Sequence, residues 1–488
     1  MTDRNSSDDD PVTSDRIPSL INIGEIPSSY GQNLHTDVID PVTISQRRAR
    51  FTLSRVAGFL HSESRITLGI VPKTNARAYY PLNVGVSNVI KSAQLIIGQE
   101  SVCSIDDYSH FHQYQSMFVS NENNKEREQY LSQRCISHAP VYDGRVDDAT
   151  DKPINSAKSV GLDLGRNPIV DETDDTGAMQ LLPFQVHSAA DAQTIADAPV
   201  YSVYLSDLFP FLKFNQLPTF MMDQEVHIDL TFQDEMSILS GTSYSRRMCV
   251  GSAEDRTISY EIDTEECKLI YDSITYDAEV MRQYAQQNPV LSFSYVDYRL
   301  AKRTGDKDAF SNLVFPIGGN GRQVTKIMFA ATKNATADPR SLLNNVTANQ
   351  SSPDNNLAIN LLYNDLYEFN VDRSNPALLF HTTQQAEGAI PMITKDEWKV
   401  GGTAAAPRNA LTIDTFEGHD QSATIAGLGG QFAWTAIRPN KGQRVNNKGM
   451  TLIYKNPNLE ADTYTLRCYL ELMKQATITN GKFSCSFA

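Results

Sequence analysis

Strict alternation of apolar and polar residues marks the segment at residues 225–232. Apolar side chains occupy positions 226, 228, 230 and 232, and polar side chains occupy the positions between them. Successive side chains of a β-strand point to opposite faces of the sheet. The segment is therefore predicted to be a strand with one buried face.

The chain from residue 268 to residue 298 is predicted to form a strand, a helix and a second strand. Residues 268–276 are rich in β-branched and aromatic residues, and residues 290–298 alternate. Between them, Asp277 can cap a helix of about three turns, which Asn288-Pro289 ends. One β unit thus closes and another begins. We interpret this stretch as the joint between two similar domains.

Further strands precede the joint. Alternation predicts them at residues 51–53, 65–71, 82–86 and 89–98. Residues 105–133 have apolar residues at helical spacing, which predicts a helical insertion between strands. Residues 140–180 are rich in Asp, Gly and Asn and are predicted to form a long surface loop.

The part of the chain after the joint also favours β structure. Strands are predicted at residues 312–317, 324–330, 357–361, 463–472 and 483–487. Asn480-Gly481 separates the last two strands, and this dipeptide between alternating runs is typical of a hairpin turn. The chain is therefore expected to finish inside a sheet.

These patterns divide the chain into three parts. We predict a flexible acidic arm at residues 1–45, a first domain at 46–288 that includes the helical insertion and the linker helix, and a second domain at 289–488. Eight strands of about six residues need only ~100 residues, so roughly half of each domain is loop. The predicted fold class is all-β, with two tandem β-sandwiches, long loops and a short linker helix.

The charge balance is acidic, with 43 Lys and Arg against 58 Asp and Glu and a net charge of −15. Such a surface repels phosphate, so direct binding of nucleic acid is not expected. Arg47-Arg48-Ala49-Arg50 and Arg246-Arg247 are basic exceptions. We interpret both runs as solvated surface, and the alternative is a small basic patch that faces a neighbouring subunit.

The cysteines predict neither a zinc site nor a disulfide framework, because none has CxxC spacing. They lie at positions 103, 135, 249, 267, 468 and 485. A reducing compartment is therefore expected. The N-terminus is polar and acidic, and no apolar run approaches the ~20 residues of a membrane span. We accordingly expect no secretory leader and no transmembrane segment.

His110 and His112, near Asp106 and Asp107, are the best metal candidates in the sequence. Jelly-roll enzymes of the cupin type bind metal through such a pair on a strand. Here the two His fall in a segment with helical spacing, where positions two apart point away from each other. We therefore favour a solvated or locally hydrogen-bonded pair, and metal binding is the weaker alternative.

No stretch predicts catalysis or a cofactor. Gly318-Gly319-Asn320-Gly321 has no following Lys and Ser or Thr and begins a strand, so it is not a phosphate loop. Gly427-Leu428-Gly429-Gly430 is equally weak, and no Gly-x-Ser-x-Gly elbow occurs. The acidic pairs Asp147-Asp148 and Asp174-Asp175 lie in predicted loops, where solvation or a weak cation site explains them better than catalysis. We therefore predict a protein that is not an enzyme and carries no cofactor.

Three glycosylation sequons occur close together. They begin at Asn334, Asn345 and Asn349. Such triplets are common by chance in Asn-rich loops, and the secretory machinery modifies only proteins that enter it. Unmodified asparagines are therefore expected, with glycan attachment as the alternative.

Three stretches carry a family resemblance. The first contains Leu208-Phe209-Pro210-Phe211, Leu217-Pro218-Thr219-Phe220 and Glu225-Val226-His227-Ile228. The second contains Leu269-Ile270-Tyr271-Asp272, Tyr276-Asp277, Glu279, Arg282 and Tyr284-Ala285-Gln286. The third is the tail from Thr463, a long strand and then a short one after a turn. In these stretches the chain resembles the double jelly-roll major capsid proteins of eukaryotic double-stranded DNA viruses, which include large nucleocytoplasmic viruses, virophages and polinton-like viruses.

The resemblance is continuous over residues 204–300 and looser elsewhere. One departure is Gly98-Gln99, where the family usually has two glycines. The resemblance implies two tandem jelly rolls in each chain, a homotrimer that forms a pseudo-hexagonal capsomer, and an icosahedral shell with no chemical reaction. It implies neighbouring capsomers and minor capsid or penton proteins as partners. It also implies a place in the virion after synthesis in the host cytoplasm.

Two other functions are considered. A penton or minor capsid protein would share the composition but would not repeat the β unit after a linker helix. A carbohydrate-binding or carbohydrate-active β-sandwich protein would need exposed Trp platforms or a carboxylate pair. The chain has only two Trp, at positions 398 and 434, so this class is less favoured.

Overall fold

The structure is a computed structural model of the 488-residue chain. It describes residues 32–53, 58–72, 78–79, 85–115, 140–141, 146–147, 152–153, 158–159, 185–186, 200–214, 217–233, 238–239, 243–244, 250–251, 260–333, 358–363, 366–371, 376–387, 434–439, 444–445, 449–455 and 463–487.

The first unit is built on eight principal strands. In chain order they are β1 (Gln32–Ile39), β2 (Arg48–Leu53), β3 (the two pieces Phe59–Leu60 and Arg65–Leu68), β4 (Ile90–Ile97), β5 (Glu100–Asp106), β6 (Tyr201–Tyr204), β7 (Val226–Phe232) and β8 (Leu269–Tyr276). One sheet has the order β1-β8-β3-β6, and the other has the order β2-β7-β4-β5.

Short strands accompany the principal ones in the first unit. They are Thr43–Ser45, Ile70–Pro72, Ala78–Tyr79, Pro140–Val141, Val146–Asp147, Lys152–Pro153, Lys158–Ser159, Gln185–Val186, Leu217–Pro218, Ile238–Leu239, Ser243–Tyr244, Val250–Gly251 and Tyr260–Ile262.

The second unit repeats the plan. Its principal strands are β9 (Val290–Asp306), β10 (Leu313–Gly318), β11 (Val324–Lys333), β12 (Ala358–Tyr363), β13 (Leu366–Val371), β14 (Thr435–Ile437), β15 (Met450–Lys455) and β16 (Thr463–Thr479). One sheet has the order β9-β16-β11-β14, and the other has the order β10-β15-β12-β13. A last strand, β17 (Lys482–Phe487), pairs with the end of β16.

The two units have the same connectivity. In each, the first, eighth, third and sixth strands form one sheet, and the second, seventh, fourth and fifth strands form the other. Two four-stranded sheets connected in this way form a jelly roll. The predicted fold class, all-β with two tandem jelly-roll sandwiches, is therefore confirmed.

Helices are short and lie at the connections. They are α1 (Tyr108–Gln115), α2 (Leu205–Leu208), α3 (Pro210–Phe214), α4 (Ala278–Gln287), α5 (Lys307–Ser311) and α6 (Pro376–Glu387), with 3-10 turns at Gly85–Val89 and Thr219–Met221. In both units a helix follows the fifth strand, α1 after β5 and α6 after β13. Within the described ranges, no helix is both long and apolar enough to cross a membrane.

The helix at the joint lies where the sequence predicts it. Helix α4 begins after Asp277 and ends before Asn288, between β8 and β9. Met281 and Tyr284 are buried, as the apolar side of the predicted helix requires. Asp277 occupies the N-cap position but makes no side-chain hydrogen bond there, so that detail of the prediction is wrong.

Two other expectations need correction. The arm predicted at residues 1–45 is wrong in its last part, because Gln32–Ile39 is strand β1 and pairs with β8 along its whole length. Residues 1–31 lie outside the described part. The strand predicted at residues 82–86 is also wrong in its last two residues, since Gly85–Val89 is a 3-10 turn, and residues 82–84 lie outside the described part. The predicted helical insertion begins later than residue 105, because β5 runs to Asp106 and α1 starts at Tyr108.

Candidate structural site at the contact between the two units

The contact between the two units joins an edge of the first jelly roll to a sheet of the second. Strand β5, at the end of its sheet, faces the long strand β9. The Tyr295 hydroxyl donates a hydrogen bond to the Val102 carbonyl over 3.0 Å, and the Ser104 amide donates to Asp297 Oδ1 over 3.4 Å. Backbone groups of this edge strand thus form hydrogen bonds with the second unit, which prevents the edge from pairing with other strands.

A Lys–Asp pair within the second unit lies at the same contact. Lys474 Nζ lies 2.6 Å from Asp297 Oδ2, and both side chains are nearly buried. Lys474 also donates to the Val102 carbonyl over 3.2 Å. Burial raises the pKa of the neighbouring Cys103 thiol well above its ordinary value, and the Asp297 carboxylate adds to the effect. Cys103 is therefore a small apolar core residue of the interface.

A second buried pair joins the turn before helix α1 to β16 and spans the two units. Arg467 Nε lies 2.6 Å from Asp107 Oδ2, with side-chain exposures of 10% and 12%. Arg467 also donates to the Thr332 hydroxyl, and the Tyr469 hydroxyl donates to the Asp107 carbonyl over 2.9 Å. Asp107 has a φ of 57°, the left-handed conformation that Asp tolerates better than most residues. This turn between β5 and α1 is thus held by the second unit.

A third pair lies on the same sheet of the second unit. Lys326 Nζ is 3.2 Å from Glu471 Oε2, and the carboxylate accepts hydrogen bonds from the Thr325 and Tyr298 hydroxyls over 2.7 and 2.9 Å. Burial alone would raise the pKa of Glu471. The Lys326 charge and the hydrogen bonds outweigh burial, and the net pKa is lowered. The carboxylate therefore stays ionised inside the protein.

Aromatic rings fill the space around these pairs. Phe111 of α1 lies 4.5 Å from Tyr298 and 5.4 Å from Tyr469, measured between ring centroids. Trp434 is fully buried and donates its indole N–H to Gln113 Oε1 over 3.0 Å. Helix α1 therefore belongs to the first unit in sequence and covers a sheet of the second unit in space.

The C-terminal hairpin closes the far end of the contact. The Asp223 amide donates to the Gly481 carbonyl over 2.8 Å, and the Phe483 amide donates to Gln224 Oε1 over 2.6 Å. Gly481 has a φ of +77°, and a Cβ there would collide with the Asp223 carboxylate. Glycine is thus required both by the turn and by the approach of the first unit.

The metal candidates of the sequence take part in packing. His110 and His112 are both buried in α1. The His112 ring stacks on Tyr108 at 5.5 Å, and its Nδ1 lies 3.3 Å from the Tyr108 hydroxyl. Among the described residues, no group of three or more His, Cys, Asp and Glu side chains lies close enough together to hold a metal ion.

The first basic run has a structural partner. Arg48 Nη2 lies 2.6 Å from Asp229 Oδ2 and Arg50 Nε lies 2.6 Å from Asp229 Oδ1, so β2 and β7 are joined on the outer face of their sheet. Burial raises the pKa of Asp229, but the hydrogen bonds from Arg50 and Arg48 outweigh it and lower the net pKa. Arg246-Arg247 lies outside the described residues.

The other sequence candidates are placed as follows. Gly318, Gly319 and Gly321 have positive φ and form the turn from β10 to β11. The sequons at Asn334, Asn345 and Asn349, Gly427-Leu428-Gly429-Gly430, Asp148 and Asp174-Asp175 lie outside the described residues, so glycan attachment stays a prediction. Of the cysteines, Cys103, Cys267 and Cys468 are buried, Cys485 is half-buried and all four are free, whereas Cys135 and Cys249 are outside the described part.

Sequence reasoning missed the buried charges at the contact and on the adjoining sheet of the second unit. They are Asp107, Asp297, Lys326, Arg467, Glu471 and Lys474. One signal was present: charges at 467, 471 and 474 interrupt an otherwise apolar strand. Charged residues inside such a strand are rarely buried without partners. That signal could have predicted a buried ionic contact, although not the residues that complete it.

Comparisons with known proteins agree on the fold. No protein-family model matches the chain, and no curated protein matches it by sequence. Among solved structures, VP54 of PBCV-1, fitted into a reconstruction of the virophage Sputnik, is 11% identical with a TM-score of 0.50, over 95% of this chain and 99% of that one. A chain of the cryo-EM structure of Sputnik is 10% identical with a TM-score of 0.51, over 97% of this chain and 92% of that one. The chain thus has the double jelly-roll fold of these viral proteins.

Proposed function

We propose that this chain is the major capsid protein of a DNA virus, and that three copies form a pseudo-hexagonal capsomer that tiles an icosahedral shell. One observation carries the proposal: two units with the same connectivity are fixed to each other by the buried Arg467–Asp107 ion pair and by hydrogen bonds to the Val102 carbonyl. Three such chains can present six similar units at fixed angles. The fold shared with the PBCV-1 and Sputnik proteins supports the same function.

The chemistry of the contact suits a structural role. The charges of Asp107, Asp297 and Glu471 are each matched by a cation and by hydrogen bonds. Removing one partner of a buried pair is costly, because the other charge then stays buried and unpaired. Of these pairs, Arg467–Asp107 spans the two units and therefore resists their separation. A subunit that must keep its shape in a lattice needs this property.

We further propose how the chain is divided and where it works. The division falls between Gln287, the end of α4, and Val290, the start of β9. The protein would be made in the host cytoplasm and would reside in the virion. Its partners would be two further copies of itself, neighbouring capsomers, and minor capsid or penton proteins.

A carbohydrate-binding function receives no support from Trp434. Sugar platforms need an exposed aromatic face, whereas Trp434 is fully buried and packs on Tyr114 and Tyr469. Trp398 lies outside the described residues.

Negative-stain electron microscopy of the purified protein tests the proposal. Class averages are expected to show particles with threefold symmetry and a six-lobed outline, and shells under assembly conditions. Particles of a single two-lobed subunit that bind glycans would favour the carbohydrate class instead.

A further inference from the structure

The sheet of the second unit that contains β16 carries a characteristic arrangement on its outer face, the face turned away from that unit's own core. An acid on the eighth strand, Glu471, accepts a hydrogen bond from Tyr298 on the first strand, directly opposite in register. It also pairs with Lys326 on the third strand. Helix α1 covers this outer face through Phe111.

The equivalent sheet of the first unit carries the same arrangement. Asp272 on the eighth strand accepts a hydrogen bond of 2.6 Å from Thr36 on the first strand, again directly opposite in register. Arg65 on the third strand lies 3.6 Å from the carboxylate. Acid, hydroxyl and base thus occupy topologically matching strands on the outer faces of both sheets.

The two outer faces differ in what covers them. On the second unit, Tyr469 and Met328 are only 1% exposed. On the first unit, Leu34 and Val38 of β1 are 62% and 63% exposed. Ile270 and Ile274, their partners in β8, are half-buried. We call the surface formed by these four apolar residues and by Asp272, Thr36 and Arg65 the β1 face. Large apolar side chains exposed together on a sheet face are typical of an interaction surface.

We propose that the β1 face is the docking surface for the second unit of another copy of this chain. The inference rests on the proposed function and names the partner surface. Within one chain, the end of the first unit that carries β5 and α1 covers the sheet of the second unit. The second unit has the same end, formed by β13 and α6. A neighbouring copy would place that end on the β1 face and so continue the interface already present inside the chain.

The geometry of such a contact favours a closed ring. The contact is head-to-tail, because different surfaces of the two copies meet. Internal and external contacts alternate around the ring, and each joins pseudo-equivalent units. Three chains supply six units, so the ring that the repeat implies closes as a trimer.

The experiment compares the masses of the wild-type chain and a variant with both Leu34→Arg and Val38→Arg. Both positions are exposed, so each chain is expected to keep its fold and its melting temperature. The wild type is expected at about 163 kDa, three times the 54.3 kDa chain, and the variant is expected to fall to 54.3 kDa. Val314→Arg is the matched control, because Val314 is 58% exposed on another sheet and should leave the trimer intact.

The outcomes test the β1 face and the proposed function separately. A wild-type trimer together with a double variant that also stays trimeric overturns the β1 face and leaves the proposed function standing. A wild type of 54.3 kDa overturns both. A milder test replaces Val38 or Val314 by Cys and follows maleimide labelling in the intact oligomer by peptide mass spectrometry. Val38→Cys should react much more slowly, and equal rates would overturn the proposal.

Discussion

Arg467 and Asp107 lie 360 positions apart in the chain, yet their side chains meet at 2.6 Å across the contact between the two units. The pair is almost excluded from water, and each partner has further hydrogen bonds within the contact. Two jelly rolls that could move independently are thereby held in one relative position.

Loss of Arg467 should loosen this contact. Arg467→Met leaves the Asp107 carboxylate buried without its cation, and breaking a buried pair in this way costs about 3–5 kcal/mol. Denaturant unfolding should show the loss. The control is Arg282→Met, which removes an exposed pair with Glu279 and should change little. Equal stability of the two variants would show that the Arg467 pair does not hold the units.

The second unit should also lose stability in acid, because Glu471 and its partner Lys326 both belong to it. The pKa of Glu471 in the folded chain is below its ordinary value of 4.5, so the stability that it contributes is complete above that value. This contribution disappears as the pH falls through the lowered pKa. Glu471→Gln should therefore flatten the fall in melting temperature between about pH 5 and about pH 3. An unchanged slope would contradict the assignment.

The hydroxyl of Tyr295 should contribute less than the charges do. Tyr295→Phe removes one hydrogen bond to the Val102 carbonyl, which still accepts from Lys474, so the expected cost is about 1 kcal/mol. Lys474→Met leaves the Asp297 carboxylate buried without its cation and should lower the free energy of unfolding by about 3–5 kcal/mol. Denaturant unfolding of both variants checks this order. The reverse order would show that the Lys474–Asp297 pair stabilises the protein less than the Tyr295 hydroxyl does.

Two glycines offer a matched test of the approach between the units. Gly481 and Gly321 have φ of +77° and +68°, so alanine strains the backbone at both. A Cβ at Gly321 meets nothing within 4 Å, whereas one at Gly481 collides with Asp223 of the first unit. Gly321→Ala should cost about 1 kcal/mol, and Gly481→Ala should cost more. Equal losses in thermal denaturation would mean that the hairpin does not press against the first unit.

Local signals in the sequence were enough to predict the joint and the last hairpin. Alternation at residues 225–232 corresponds to β7, and its apolar positions are buried. Asn480 and Gly481 both have positive φ, as the turn chemistry of that dipeptide requires. In both places the local structure depends on residues that are neighbours in sequence, so the sequence pattern alone predicts it.

Strand β1 and the contact between the units were not predictable in this way. Residues Asn33 to Val38 are all exposed, so burial imposes no alternation on them and the strand exists because β8 supplies an edge to pair with. The ion pairs join residues that are more than a hundred positions apart. A single sequence shows that Arg467 and Glu471 interrupt an apolar strand, but it does not show which side chains meet them.

The most direct test of the account is the mass of the purified protein in solution, measured by light scattering. A capsomer of three chains predicts about 163 kDa, three times the 54.3 kDa chain. A mass of 54.3 kDa at every concentration tested would contradict the claim that this double jelly roll assembles into trimeric capsomers.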